Sequence, residues 1–163
     1  KKDFINEILI TKINKNINLN SKSFDISSNI ENSLKGTQKS SLLDIFHDLN
    51  SSININVEQA KIDDDHSLKN INGKTTIKNN KIYKATLSAK FDNKNNFNYT
   101  KDEIDGKKVT TIFSDIAKPF VKKFDFIKGF EDGKLDYTST EVNEDLSRSE
   151  LRIYNFKLQD TIL

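Results

Sequence analysis

Tyr83-Lys84-Ala85-Thr86-Leu87-Ser88-Ala89-Lys90-Phe91 alternates apolar and polar side chains without a miss. Successive side chains of a β-strand point to opposite faces, so this run predicts a strand with one greasy side and one wet side. The same period of two extends in both directions. Ile8 and Ile10, Ile17 and Leu19, and Phe24 and Ile26 read as extended chain near the amino end. Ile53, Ile55 and Val57 alternate with Asn54 and Asn56, and Ile71, Gly73, Thr75 and Ile77 stand in phase. Phe97 and Tyr99 open a short strand, and Val109 to Phe113 make another. Two last strands, near 134–141 and 147–159, carry Leu135 and Tyr137, then Leu151 and Ile153.

Turn chemistry separates these runs. Asn79-Asn80 and Asp105-Gly106 suit tight connections, because Asn, Asp and Gly tolerate positive φ. Asn143-Glu144-Asp145 forms a polar turn between the final strands. In the last strand the apolar phase moves from Leu151 and Ile153 to Tyr154, Phe156 and Leu158, which predicts a β-bulge. Two short helices are expected. One starts at Ser41 with Asp44 three residues on and carries Leu42, Leu43, Ile45, Phe46 and Leu49. The other is capped by Ser114 and carries Ile116, Phe120, Phe124 and Ile127, with Pro119 acceptable only in its first turn.

The expected fold is therefore mainly β with an α+β arrangement: a curved antiparallel sheet of about six to eight strands with two short helices. One domain covers residues 1–163, with strands and a loop over 1–36 and a helix–strand core over 37–163. The apolar fraction is 34%, and counting glycine leaves it below the roughly 45–50% of ordinary globular domains. A thin core, or a sheet with only one face covered, accounts for the deficit.

Composition also removes function classes. There is no cysteine, hence no disulfide and no thiolate chemistry. Net charge is +2 with mixed signs, and Arg148 and Arg152 are the only arginines, which argues against nucleic-acid binding. The longest apolar run, Ile8-Leu9-Ile10, is far short of a bilayer span. Lys1-Lys2 does not open a signal peptide, and the chain reads as a piece of a longer protein. Asp63-Asp64-Asp65-His66 looks like a metal-site fragment, but a calcium loop needs Gly at its sixth place and an acid at its twelfth, where Lys74 stands. With only His47 and His66 in the chain, zinc is not expected either. Glu141, Glu144 and Asp145 lie in a solvated turn. No phosphate loop or nucleophile elbow is present, so no cofactor and no enzyme activity are expected.

The carboxyl-terminal half resembles the AsmA-like family, in the region shared by AsmA and YhdP-type proteins and related to TamB. The resemblance rests on the alternating strand Tyr83 to Phe91, and on Val109 to Asp115 running into a helix. It continues in the strand Gly133-Lys134-Leu135, a polar hairpin, and Leu151, Ile153, Phe156, Leu158 and Asp160 in the last strand. Ser23-Phe24-Asp25 matches a further family element upstream. Ile116 replaces a residue that is often small in the family, and the family's glycine pair is spread over Gly129 and Gly133.

The resemblance implies a periplasmic segment of a long β-groove protein, anchored in the inner membrane through parts outside this sequence. Such a protein passes phospholipid toward the outer membrane without enzymatic chemistry, and no catalytic residues come with it. From the alternation, the candidate groove lining for acyl chains is Ile53, Ile55, Val57, Tyr83, Ala85, Leu87, Ala89, Phe91, Leu135, Tyr137, Leu151 and Ile153. The other expectation is a closed structural domain that supports outer-membrane protein assembly and holds no lipid.

Overall fold

A computed structural model describes residues 7–13, 16–27, 50–79, 81–92, 94–121, 129–143 and 146–158. Among the described residues, ten strands form one open, curved sheet. They are β1 (Leu9–Ile13), β2 (Asn16–Ser21), β3 (Phe24–Asp25), β4 (Ser51–Lys61) and β5 (Ser67–Lys78). After them come β6 (Lys81–Lys90), β7 (Asn96–Ile104), β8 (Lys107–Ser114), β9 (Phe130–Glu141) and β10 (Ser147–Leu158). The order across the sheet is β1-β2-β4-β5-β6-β7-β8-β9-β10, with β3 beside β4.

From β4 onward the sheet is a meander of antiparallel neighbours joined by short connections, except that residues 115–129 link β8 to β9. Ile104 pairs with Lys107, so Asp105 and Gly106 alone make the turn, both at positive φ. That is the backbone signature of a type I′ hairpin, whose twist matches that of the strands it joins. Lys78 likewise pairs with Lys81, and Asn79 adopts a φ of 51°.

Two expectations change, and the helix expected after Ser114 starts later than predicted. The sheet is mixed, not antiparallel throughout, because β2 and β3 both lie parallel to β4. Among the described residues it has ten strands, and β7 runs on past Tyr99 because Thr100 and Lys101 pair on both sides and Asp102 and Glu103 pair with β8. Among the described residues the helical positions are α1 (Lys118–Val121), four residues long, and Ser27. The α1 helix begins after the predicted Ser114 cap: Ser114 Oγ bonds the backbone of Ile116 instead, and Ala117 O accepts from Phe120 N and Val121 N. Pro119 falls in the first turn, where its missing N–H has no helical partner to lose. Phe124, Ile127 and the whole predicted helix from Ser41 lie outside the described residues.

The predicted bulge in β10 takes a different form. Ile153 pairs with Leu135 and Phe156 with Asp132, so no residue is inserted. Asn155 and, opposite it, Gly133 both turn to positive φ, and the two strands change phase together. Register shifts do occur between β5 and β6, from Lys69 to Asn72 and from Thr76 to Ile77.

The two faces differ throughout. The outer face is polar in successive rows, including Asn18, Asn54, Lys74, Thr86, Thr100, Thr111 and Thr138. Asn54 donates to Asn18 at 3.0 Å, and the Thr100 and Thr111 hydroxyls meet at 2.6 Å. The inner face holds the core, centred on Val57, Ala60, Ile62, Leu68, Ile71, Ala89, Phe91 and Leu135 with Ala117, Phe120 and Val121 set over it. A second cluster of Ile17, Ile53 and Ile77 lies under the amino-terminal strands.

Candidate functional site: an apolar row across the sheet

Directly opposed residues of paired strands share a face, so the registers can be chained across the sheet. One chain runs Ile10, Leu19, Ile55, Gly73, Leu87, Tyr99, Ile112, Tyr137, Leu151. It crosses the main path from edge to edge, with no charged side chain along it. Eight strand spacings of about 4.8 Å make it ~38 Å long. From Leu19 to Leu151 every member is half-buried, and Ile10 at the β1 edge is 42% exposed.

Unlike borders confine this row. On one side stand Ala89, Phe97, Ser114, Leu135 and Ile153, again opposed in sequence. Here α1 closes the face: Phe120 stacks on Phe97 at 5.6 Å and meets Phe91 edge-on at 6.3 Å. The approach to α1 is pinned by Asp115, whose carboxylate accepts from Asn96 N at 2.9 Å and from Lys134 Nζ at 2.7 Å. Ala117 N reaches Gly133 O at 2.8 Å, tying the approach to β9 as well.

The opposite border changes character along its length. It runs Ile17, Ile53, Thr75, Ala85, then Lys101, Thr110, Ser139 and Ser149. Beyond it the inner face becomes ionic. The Tyr83 ring lies between Lys78 Nζ at 3.7 Å and Lys108 Nζ at 3.5 Å, and its hydroxyl donates to Glu103. Lys108 pairs with Glu103, and Lys101 with Glu141 at 2.9 Å. The Lys108 ammonium beside Glu103 holds that carboxyl below the usual range. Tyr99 and Tyr137 bring the two hydroxyls of the apolar row; Tyr137 meets Ser149 Oγ at 3.1 Å, and burial pushes the Tyr99 pKa up.

The twelve lining candidates separate into two groups. Ile53, Ala85, Leu135, Ala89, Val57 and Phe91 are all under 9% exposed and belong to the core. Ile55, Tyr83, Leu87, Tyr137, Leu151 and Ile153 are half-buried, and four of them (Ile55, Leu87, Tyr137 and Leu151) share the row. Leu19, Tyr99 and Ile112 join that row without having been singled out from sequence. The Asp105-Gly106 turn carries the signal for two of them, since pairing Ile104 with Lys107 places Tyr99 opposite Ile112.

The acidic run near 63 is a turn. Asp63 Oδ1 accepts from the Asp65 and His66 amides at 2.8 and 2.7 Å, and His66 Nδ1 lies 2.9 Å away. Burial works against the charged carboxyl, but these bonds leave its pKa lowered overall. Among the described residues no three or more His, Cys, Asp or Glu side chains are grouped to hold a metal. No helix among them is long and apolar enough to cross a membrane. No protein-family model, curated protein or solved structure matches the chain.

Proposed function

We propose that this chain is a non-enzymatic, periplasmic segment of an AsmA-like envelope protein, whose apolar row carries phospholipid acyl chains between the inner and outer membranes. The parent protein meets the inner membrane through parts outside this sequence. One observation carries the reading: a row of apolar side chains crosses the sheet from edge to edge and stays half-open to solvent. A hydrocarbon chain laid along it gains about 0.8 kcal/mol per methylene removed from water. The row spans more than one acyl chain, which occupies roughly half a ~30 Å hydrocarbon core. At the ionic border a phosphate headgroup would compete with Glu141 for Lys101 and with Glu103 for Lys108.

The second reading, a closed structural domain in outer-membrane protein assembly, draws on the burial of Ile53, Ala85, Ala89 and Leu135. Mass spectrometry of organic extracts from natively purified protein separates the two. On the lipid reading, phospholipid co-purifies and Leu87→Asp reduces it several-fold while circular dichroism stays that of a sheet. Lipid-free wild-type protein that also ignores a fluorescent fatty acid would favour the closed domain.

A further inference from the structure

We propose that β10 is a self-complementary edge through which two copies of this chain join their sheets into one. Among the described residues, β10 pairs only with β9, leaving the other side of a twelve-residue strand unpaired. Natural sheets usually shorten, cover or bend such an edge, because its free N–H and C=O groups are a template for another strand.

The side chains specify both partner and register. Arg148, Glu150 and Arg152 line the outer face of β10, and Ser149, Leu151 and Ile153 the inner. A two-fold axis through Leu151 sets Leu151 against Leu151 of the second copy. It also sets Glu150 against Arg152, and Arg152 against Glu150, on the outer face. Opposite charges directly across a strand pair stabilise it, and like charges do the reverse. The two neighbouring registers that keep faces matched are both penalised. One places Glu150 on its own copy and Arg148 on Arg152; the other places Arg152 on its own copy.

Glu150 and Arg152 now pair within the strand at 2.7 Å, with side chains 61% and 71% exposed, so both are free to exchange partners. Regular pleating is interrupted at Asn155, whose φ is 57°, although pairing with β9 continues to Leu158. The symmetric stretch from Ser147 to Asn155 is thus centred on Leu151. Joining there carries the apolar row from Leu151 straight into its counterpart, doubling its length. The isologous contact closes at two copies, as two-fold interfaces do. It stands whether or not the row holds lipid.

Sedimentation equilibrium of the 163-residue chain and its variants tests this. Wild type is expected to be a reversible dimer. Glu150→Arg and Arg152→Glu should each weaken dimerisation about 10-fold. Mixing the two variants should restore a heterodimer, because each supplies the charge that the other lacks. Should a charge variant fail to fold, Leu151→Cys decides: the chain has no other thiol, and oxidation should link two copies through that position. A wild-type monomer at every soluble concentration overturns the proposal. So does a dimer indifferent to both reversals, a mixture that stays monomeric, or an L151C chain that does not cross-link.

Discussion

Leu87 fills the space that Gly73, its cross-strand partner, leaves by having no side chain. A Cβ on Gly73 would stand 2.8 Å from Leu87 Cδ2, 2.9 Å from Leu87 Cα and 2.0 Å from the Thr86 carbonyl oxygen. The last of these is backbone and cannot swing aside. Gly73 therefore lets β5 and β6 approach closely at the middle of the apolar row, between two register shifts. Replacing Gly by Ala ordinarily stabilises by about 0.4–1 kcal/mol through the unfolded chain. Here overpacking dominates, and Gly73→Ala should destabilise by about 3 kcal/mol, read as a lower urea midpoint.

Asp115 should make stability depend on acid. Its pKa is lowered by the hydrogen bond from Lys134 and then by the Asn96 amide. A carboxyl with a depressed folded value contributes fully above its unfolded pKa of about 3.9 and loses that contribution as pH falls through the folded value. Asp115→Asn should cost about 1.5 kcal/mol at neutral pH, the low end for bonds to a charged group, because the Lys134 side chain is 43% exposed. The gap between variant and wild type should narrow below about pH 4. Thermal melts across that range check it.

Tyr99 should report on the row. Burial raises its pKa, and Tyr154 on the outer face is raised by burial and then by the Asp136 charge. Tyrosinate absorbance should show late-titrating amplitude that Tyr99→Phe and Tyr154→Phe each reduce. Stability from Tyr99 is complete below about pH 10 and declines as pH rises through the folded value. An acyl ligand in the row should push Tyr99 higher and leave Tyr154 where it is.

Ile53 and Ile104 should differ sharply on truncation. Ile53 is fully buried, so Ile53→Ala should cost about 2–5 kcal/mol. Ile104 is 55% exposed at the end of β7, and Ile104→Ala should stay within about 0.5 kcal/mol. Equal losses in chemical denaturation would contradict the placement of the core.

Much of the sheet is legible in the sequence, because a half-buried strand writes its period into the residues. Ile53 to Val57 lie in a strand as expected, and Tyr83 to Lys90 in another, which stops one residue short of Phe91. Asp105-Gly106 is the expected hairpin, with the register that follows from a two-residue turn. The parallel pairing of β2 with β4 left no local trace. It joins segments separated by more than thirty residues, and nothing in either strand encodes direction. Thr100 to Glu103 carries no apolar alternation; Thr100 and Lys101 are held extended between β6 and β8, and Asp102 and Glu103 by β8.

Ala85 and Leu87 mark the limit of such reading. Both occupy the same phase of one strand, yet Ala85 is 2% exposed and Leu87 is half-buried. Alternation determines which side of the sheet a residue faces, since that depends only on the pleat of its own strand. Whether that side is sealed or open depends on what distant elements set above each row. Here α1 closes the row of Ala89 and leaves the row of Leu87 half-open, a choice made by packing between residues far apart in the chain.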